Sequence, residues 1–136
     1  MDKLREHKKT DLFYGTTVVF DKNGFAIWFS KQILPAMRKE AEYRQSMELS
    51  PVYSHFGLYG YSRNTLEILS TTSKIGYKEY EGLEQLGMIE DGISIKMQEV
   101  NYRGREGMYG IDEIEDIKVA EKLILKYGEY DQYYDL

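Results

Sequence analysis

The spacing of apolar residues along this chain changes several times, and each change marks an element. From Thr16 the run TTVVF, and after Asp21-Lys22-Asn23-Gly24 the run FAIWFS, are rich in β-branched and aromatic residues around a turn, which predicts a hairpin. The run VYSHFGLYGY from Val52 to Tyr61 predicts a further strand, whose period of two puts Tyr53, His55, Gly57, Tyr59 and Tyr61 on one face. Phe56 and Leu58 point the other way, to the expected core side. That leaves His55 and Tyr59 flanking a glycine that opens space above the sheet.

Helical spacing fills much of the rest. Pro35 to Glu48 has high helix propensity but only a thin apolar stripe through Met37, Ala41 and Met47, so it reads as a helix or a loop. Arg63 to Ser70 predicts a short helix, and Tyr77 to Glu90 a longer one with Tyr80, Leu83, Leu86 and Ile89 in register, ended by Asp91-Gly92. ISIKMQEV predicts a strand and NYRGREGMYG a glycine-bearing loop. The last helix carries Ile114, Ile117, Ala120, Ile124 and Tyr127 on one stripe, opened by Asp112 with Glu115 behind it and stopped by Gly128. Residues 1–11 are polar and aperiodic and read as a flexible lead-in, 12–128 as a single domain, and 129–136 as an acidic aromatic tail. This order predicts an α/β fold, a mixed sheet with flanking helices rather than a regular βαβ series.

Composition narrows the partners. Hydrophobic residues at 42% and charged residues at 30% argue against disorder throughout. With 18 Lys+Arg against 23 Asp+Glu and a net charge of -5, the chain offers no broad electrostatic footprint for nucleic acid. Cysteine is absent, so disulfides and thiolate metal sites are excluded. No apolar run approaches the roughly 20 residues that a membrane span requires, and MDKLREHKKTD lacks the apolar core of a secretory signal. A cytoplasmic protein with neither membrane nor nucleic-acid partner is the expectation.

No P-loop, G-x-G-x-x-G, G-x-S-x-G or histidine pair at metal-ligand spacing occurs. The candidates that remain each carry a plainer alternative. His55 is a substrate hydrogen-bond donor or a half-buried structural histidine. Tyr59 is one of 13 tyrosines, most of which must serve as filler. Glu84 and Gln85 border the apolar stripe of their helix, a position also typical of a solvated face. Lys31 can bind a carboxylate as a point charge or simply end a strand. Asp112 suits an N-cap, yet a capping aspartate can still offer an oxygen to Mg2+.

Together the segments VVFDKNGFAIWFSKQILP, SHFGLYGYSRNTLE, EGLEQLGMIEDGISI and GIDEIEDIKVAEKL resemble, in order and spacing, the second half of the 3-deoxy-manno-octulosonate cytidylyltransferases. They span the chain from about Thr16 to about Lys126. H-x-G-x-Y-x-Y and LEQL are the most specific parts, whereas GID-x-x-ED is widespread in related nucleotidyltransferases. The resemblance implies the C-terminal part of a nucleotide-diphospho-sugar transferase fold. It implies a reaction in which a sugar hydroxyl attacks the α-phosphate of CTP and pyrophosphate leaves, with Mg2+ held by two aspartates. By the same resemblance His55 and Tyr59 contact the sugar, Glu84 and Gln85 line its pocket, Lys31 faces the sugar acid and Asp112 is one of the metal aspartates.

Several positions depart from the family pattern. Lys31 stands where an arginine of an FSR motif is usual, replacing a planar bidentate donor by a point charge. Gly87 stands for the arginine expected after LEQL, Glu113 for a threonine, and SKIGYKEYEG does not match the family's Ser-x-x-Glu segment. The basic nucleotide loop and the first metal aspartate of the family's N-terminal half are absent from this sequence. The expectation is therefore a sugar-binding half that needs a nucleotide-binding half to use CTP, or an inactive dimerisation or interaction module derived from the same family. Aromatic edges exposed without that half favour a homodimer.

Overall fold

A computed structural model of the chain describes residues 1–46, 49–71, 76–102, 111 and 114–128. The chain forms two compact units, Met1–Gln98 and Glu99–Leu136.

In the first unit β1 (Thr17–Phe20) and β2 (Ala26–Ser30) pair antiparallel, with Thr17 opposite Ser30, Val18 opposite Phe29 and Val19 opposite Trp28. The turn closes as its residues predict. The Asp21 carboxylate accepts from the N–H groups of Asn23 and Phe25, both at 2.8 Å, and Gly24 takes φ 77°, a left-handed value that favours glycine. The register then shifts between Val19 and Phe20. β3 (Tyr53–Ser54) pairs with the other side of β1, giving the order β2-β1-β3.

β3 is only Tyr53–Ser54, much shorter than the strand expected from Val52 to Tyr61. Beyond His55, whose N–H still bonds the Thr16 carbonyl at 2.8 Å, the chain leaves the sheet. Phe56 and Leu58, expected on the core side, are instead 41% and 79% exposed. The alternation that suggested their burial has meaning only where a strand lies on a sheet, and here it does not. The expected strand ISIKMQEV is likewise reduced to a bridge between Lys96 and Phe25, with Ala26 and Met97 amides bonding the Ile95 and Gly24 carbonyls at 2.8 Å.

The core comprises Val18, Phe29, Leu83 and Leu86, with Phe20, Ala26, Trp28, Ile89, Ile95 and Met97 packed around it. Leu83 and Leu86 come from the segment predicted as one helix over Tyr77–Glu90. It is divided into α4 (Tyr77–Glu81) and α5 (Glu84–Glu90), numbered after the three helices α1 (Asp2–Thr10), α2 (Glu40–Ser46) and α3 (Arg63–Leu69). Gly82 makes the break: at φ 62°, ψ 34° it closes α4 with a left-handed residue, and Leu83 then turns inward in an extended conformation. Tyr80 consequently stays 81% exposed while Leu83 and Leu86 are buried.

α1 occupies the stretch expected as a lead-in. Its attachment is electrostatic: Arg5 pairs with Glu40 of α2, Arg44 of α2 pairs with Asp2, and the buried Lys8 ammonium donates to backbone carbonyls. A helix held by charges has no apolar stripe to read. In the second unit α6 (Ile114–Tyr127) matches the predicted final helix and ends at Gly128, φ 71°. Among the described residues no helix is long and apolar enough to cross a membrane.

Candidate functional site

The site begins where β2 ends. Past Ser30 the backbone of Lys31 has left the ladder, and side chains take over its hydrogen bonds. Glu81, the last residue of α4, accepts from the Lys31 N–H at 2.6 Å and from the Ser30 hydroxyl at 2.8 Å. Lys8 donates to the Lys31 carbonyl. The fully buried Thr17 hydroxyl donates to the Gln32 carbonyl at 2.6 Å and accepts from the Leu34 N–H at 3.1 Å, which fixes the exit of the chain.

His55 enters from the end of β3. Its ring meets the buried face of Phe29 edge-on, with centroids 5.0 Å apart at 78°, and its Nε2 shares a 2.8 Å hydrogen bond with the Tyr59 hydroxyl. Tyr59 stacks on Tyr61 at 5.9 Å. Gly57 was expected to open space here, but a Cβ at that position would lie 4.0 Å from the His55 ring, an ordinary contact. Packing against Phe29, not the glycine, places the imidazole.

Burial pushes the His55 pKa below its ordinary value, and the nearby Lys31 charge pushes the same way. Burial raises Tyr59 to about 12, assisted by Tyr61 and Glu84, and Tyr61 is raised for the same reasons, burial and then Glu84. At neutral pH the pair is therefore an uncharged imidazole bonded to an uncharged phenol. These effects place Lys31 within electrostatic reach of His55, and Glu84 within reach of Tyr59 and Tyr61.

Glu84 and Gln85 open α5; Glu84 is exposed, whereas Gln85 is 6% exposed beside the core residue Leu86. Lys31 and Glu84 thus act electrostatically on the hydrogen-bonded His55–Tyr59 pair from two other segments, and Gln85 is adjacent to Glu84 in sequence. Asp112 lies outside the described residues. Among the described residues no three His, Asp or Glu side chains converge in a way that could hold a metal ion. Two surface concavities of about 270 and 440 Å³ lie beside α2, and neither is lined by any of these residues.

Three further residues belong with the site. Tyr61 shares the predicted period-two face with His55 and Tyr59, so a signal for it existed. Glu81 and Lys8 gave none, because their partners are backbone atoms distant in sequence. Chemically the group offers a cation, neutral hydrogen-bonding rings, a carboxylate and an amide. That set suits a polar ligand bearing an acid group and hydroxyls, and it includes no obvious covalent nucleophile.

No family model matches the chain. It is 39% identical to the 3-deoxy-manno-octulosonate cytidylyltransferase of Maricaulis maris over 93% of its own length and 46% of that protein. It is 37% identical to the enzyme of the same name from Thermodesulfovibrio yellowstonii, over 91% of this chain and 48% of that protein. Its fold resembles a solved CMP:2-keto-3-deoxy-manno-octonic acid synthetase complexed with CTP, with a TM-score of 0.69 and 21% identity over 92% of this chain and 55% of that one. The chain spans about half the length of the curated relatives it matches. It belongs to the 3-deoxy-manno-octulosonate cytidylyltransferase family, in keeping with a C-terminal half.

Proposed function

We propose that this chain supplies the sugar-binding half of a cytidylyltransferase that transfers CMP from CTP to 3-deoxy-manno-octulosonate in the cytoplasm. The observation that supports the reading is the hydrogen-bonded His55–Tyr59 pair, on which the charges of Lys31 and Glu84 act from two other segments of the chain. Lys31 serves the sugar carboxylate as a point charge, His55 and Tyr59 bond hydroxyls, and Glu84 and Gln85 complete the pocket. In the transfer a sugar oxygen forms a bond to the α-phosphorus of CTP as the bond to pyrophosphate breaks. The chain's own contribution is to position that oxygen. Asp112 is proposed to hold Mg2+, which would neutralise phosphate charge when bound. The nucleotide site belongs to the half of the family sequence that this chain does not match.

The test is calorimetric titration of the chain with 3-deoxy-manno-octulosonate in Mg2+, beside His55→Ala. Saturable binding weakened at least about tenfold in the variant, the loss of one or more good hydrogen bonds, supports the reading. Absence of binding by the parent chain overturns it.

A second reading, an inactive dimerisation or interaction module, draws on a different observation. α6 presents Ile114, Ile117, Ile124 and Leu125 at 75%, 44%, 49% and 86% exposure. Under that reading the chain is a homodimer by analytical ultracentrifugation and binds no sugar.

A further inference from the structure

We propose that Glu81 and Lys8 are positioning residues that hold the Lys31 backbone at its N–H and its C=O and so restrict where the Lys31 ammonium can reach. The identity of the ligand rests on the sugar-acid reading above, but the clamp does not.

Thr17 opposite Ser30 is the last pair of the β1–β2 ladder, so strand pairing does not satisfy the Lys31 backbone. Its two polar groups are taken by side chains of opposite charge. The Glu81 carboxylate accepts from the N–H at 2.6 Å, and the Lys8 ammonium donates to the carbonyl. The carboxylate meets the N–H of the Ser30–Lys31 peptide group and the ammonium meets the C=O of the Lys31–Gln32 group, each opposite in sign to the partial charge it faces, and both bonds are charge-assisted.

Each member of the clamp is itself anchored. Glu81 also accepts from the Ser30 hydroxyl at 2.8 Å, and that oxygen in turn accepts from the Gln32 N–H at 2.9 Å. Lys8 is 9% exposed and also donates to the Leu12 and Tyr14 carbonyls. A lysine side chain has four rotatable bonds and no planar fork to orient it. Fixing its backbone removes freedom at the root, so that less must be lost when an acid group is bound.

The imidazole of His55 reports on where the Lys31 charge sits. NMR titration is read on the full chain without ligand, the two histidines being distinguished by His7→Gln. Removing the cation in Lys31→Met raises the His55 pKa. The clamp predicts a rise in Glu81→Ala and in Lys8→Met as well, with neither change adding to Lys31→Met when the two are combined. Glu81→Gln keeps an acceptor for the Lys31 amide and stays closer to the parent. A carboxylate acting directly on the ring would do the opposite, since its removal lowers a histidine pKa.

A His55 pKa that is unmoved or lowered in Glu81→Ala overturns the proposal, as does additivity with Lys31→Met. If Glu81→Ala does not fold, Lys8→Met decides: an unchanged His55, or a rise that persists in the Lys31→Met background, overturns it. Calorimetry with 3-deoxy-manno-octulosonate then separates the two ideas. A parent chain that does not bind sinks the sugar-acid reading and leaves the clamp to be judged by the titration alone.

Discussion

Thr17→Val removes a single buried hydroxyl from the open end of the hairpin, where β1 begins, while keeping the side-chain volume. Thr17 is fully buried, and its oxygen donates to the Gln32 carbonyl at 2.6 Å and accepts from the Leu34 N–H at 3.1 Å. Each such bond contributes a net of about 0.5–1.5 kcal/mol, so losing both destabilises by about 1–3 kcal/mol. Thr17→Ser is the opposite perturbation. It keeps both bonds and loses one buried methyl, at about 0.8 kcal/mol. The polar account therefore ranks parent, then serine, then valine, whereas an account based on apolar volume alone places valine at or above the parent. Urea unfolding followed by the fluorescence of Trp28, the only tryptophan and a neighbour of this core, measures the order directly. A shift of midpoint at constant slope isolates stability. Valine as stable as the parent, or more stable than serine, would refute the reasoning.

Two further outcomes follow from the same structure. Leu86 is fully buried against Val18, Phe29 and Leu83 on the helix that carries Glu84 and Gln85, so Leu86→Ala is expected to destabilise the first unit by about 2–5 kcal/mol in urea unfolding; a loss well under 1 kcal/mol would mean that α5 is not seated on the hairpin. Tyr59, raised from 10.0 to about 12, keeps its proton in the folded state after the unfolded chain has lost it, so stability falls as pH rises from 10 through about 12. His55, lowered from 6.5, has the opposite sign, and its contribution is lost as pH falls below 6.5 through the folded value. The urea midpoint measured against pH should show both flanks, with the alkaline one shallower in Tyr59→Phe; equal alkaline slopes in the two proteins would contradict the assignment.

The parts of the fold legible in advance were those that local chemistry specifies. Asp21 and Gly24 dictate their turn, the β-branched and aromatic runs on either side form its strands, and the stripe of α6 ends at Gly128. The segment around His55 was half legible. Its period of two correctly grouped His55, Tyr59 and Tyr61, but assigned Phe56 and Leu58 to a core they do not enter. Alternation specifies which residues share a side, not whether a sheet is present to give that side a meaning. α1 was missed because hydrophobic periodicity is blind to a helix docked by Arg5, Lys8 and Arg44.

By itself the sequence determined the hairpin, the helices α3 and α6, the absence of cysteine chemistry and a set of candidate polar residues, because each depends on composition or on neighbours a few positions away. The tertiary structure decided which of those residues act together. The left-handed Gly82 sets the end of α4, which brings the Glu81 carboxylate to Ser30 and Lys31, some fifty residues earlier, at 2.8 and 2.6 Å. Burial, with the Phe29 ring packed against the imidazole, lowers the His55 pKa further and favours the neutral ring that bonds Tyr59. Hydrogen bonds and desolvation across such separations depend on where the chain finally lies, which local patterns along the sequence do not encode.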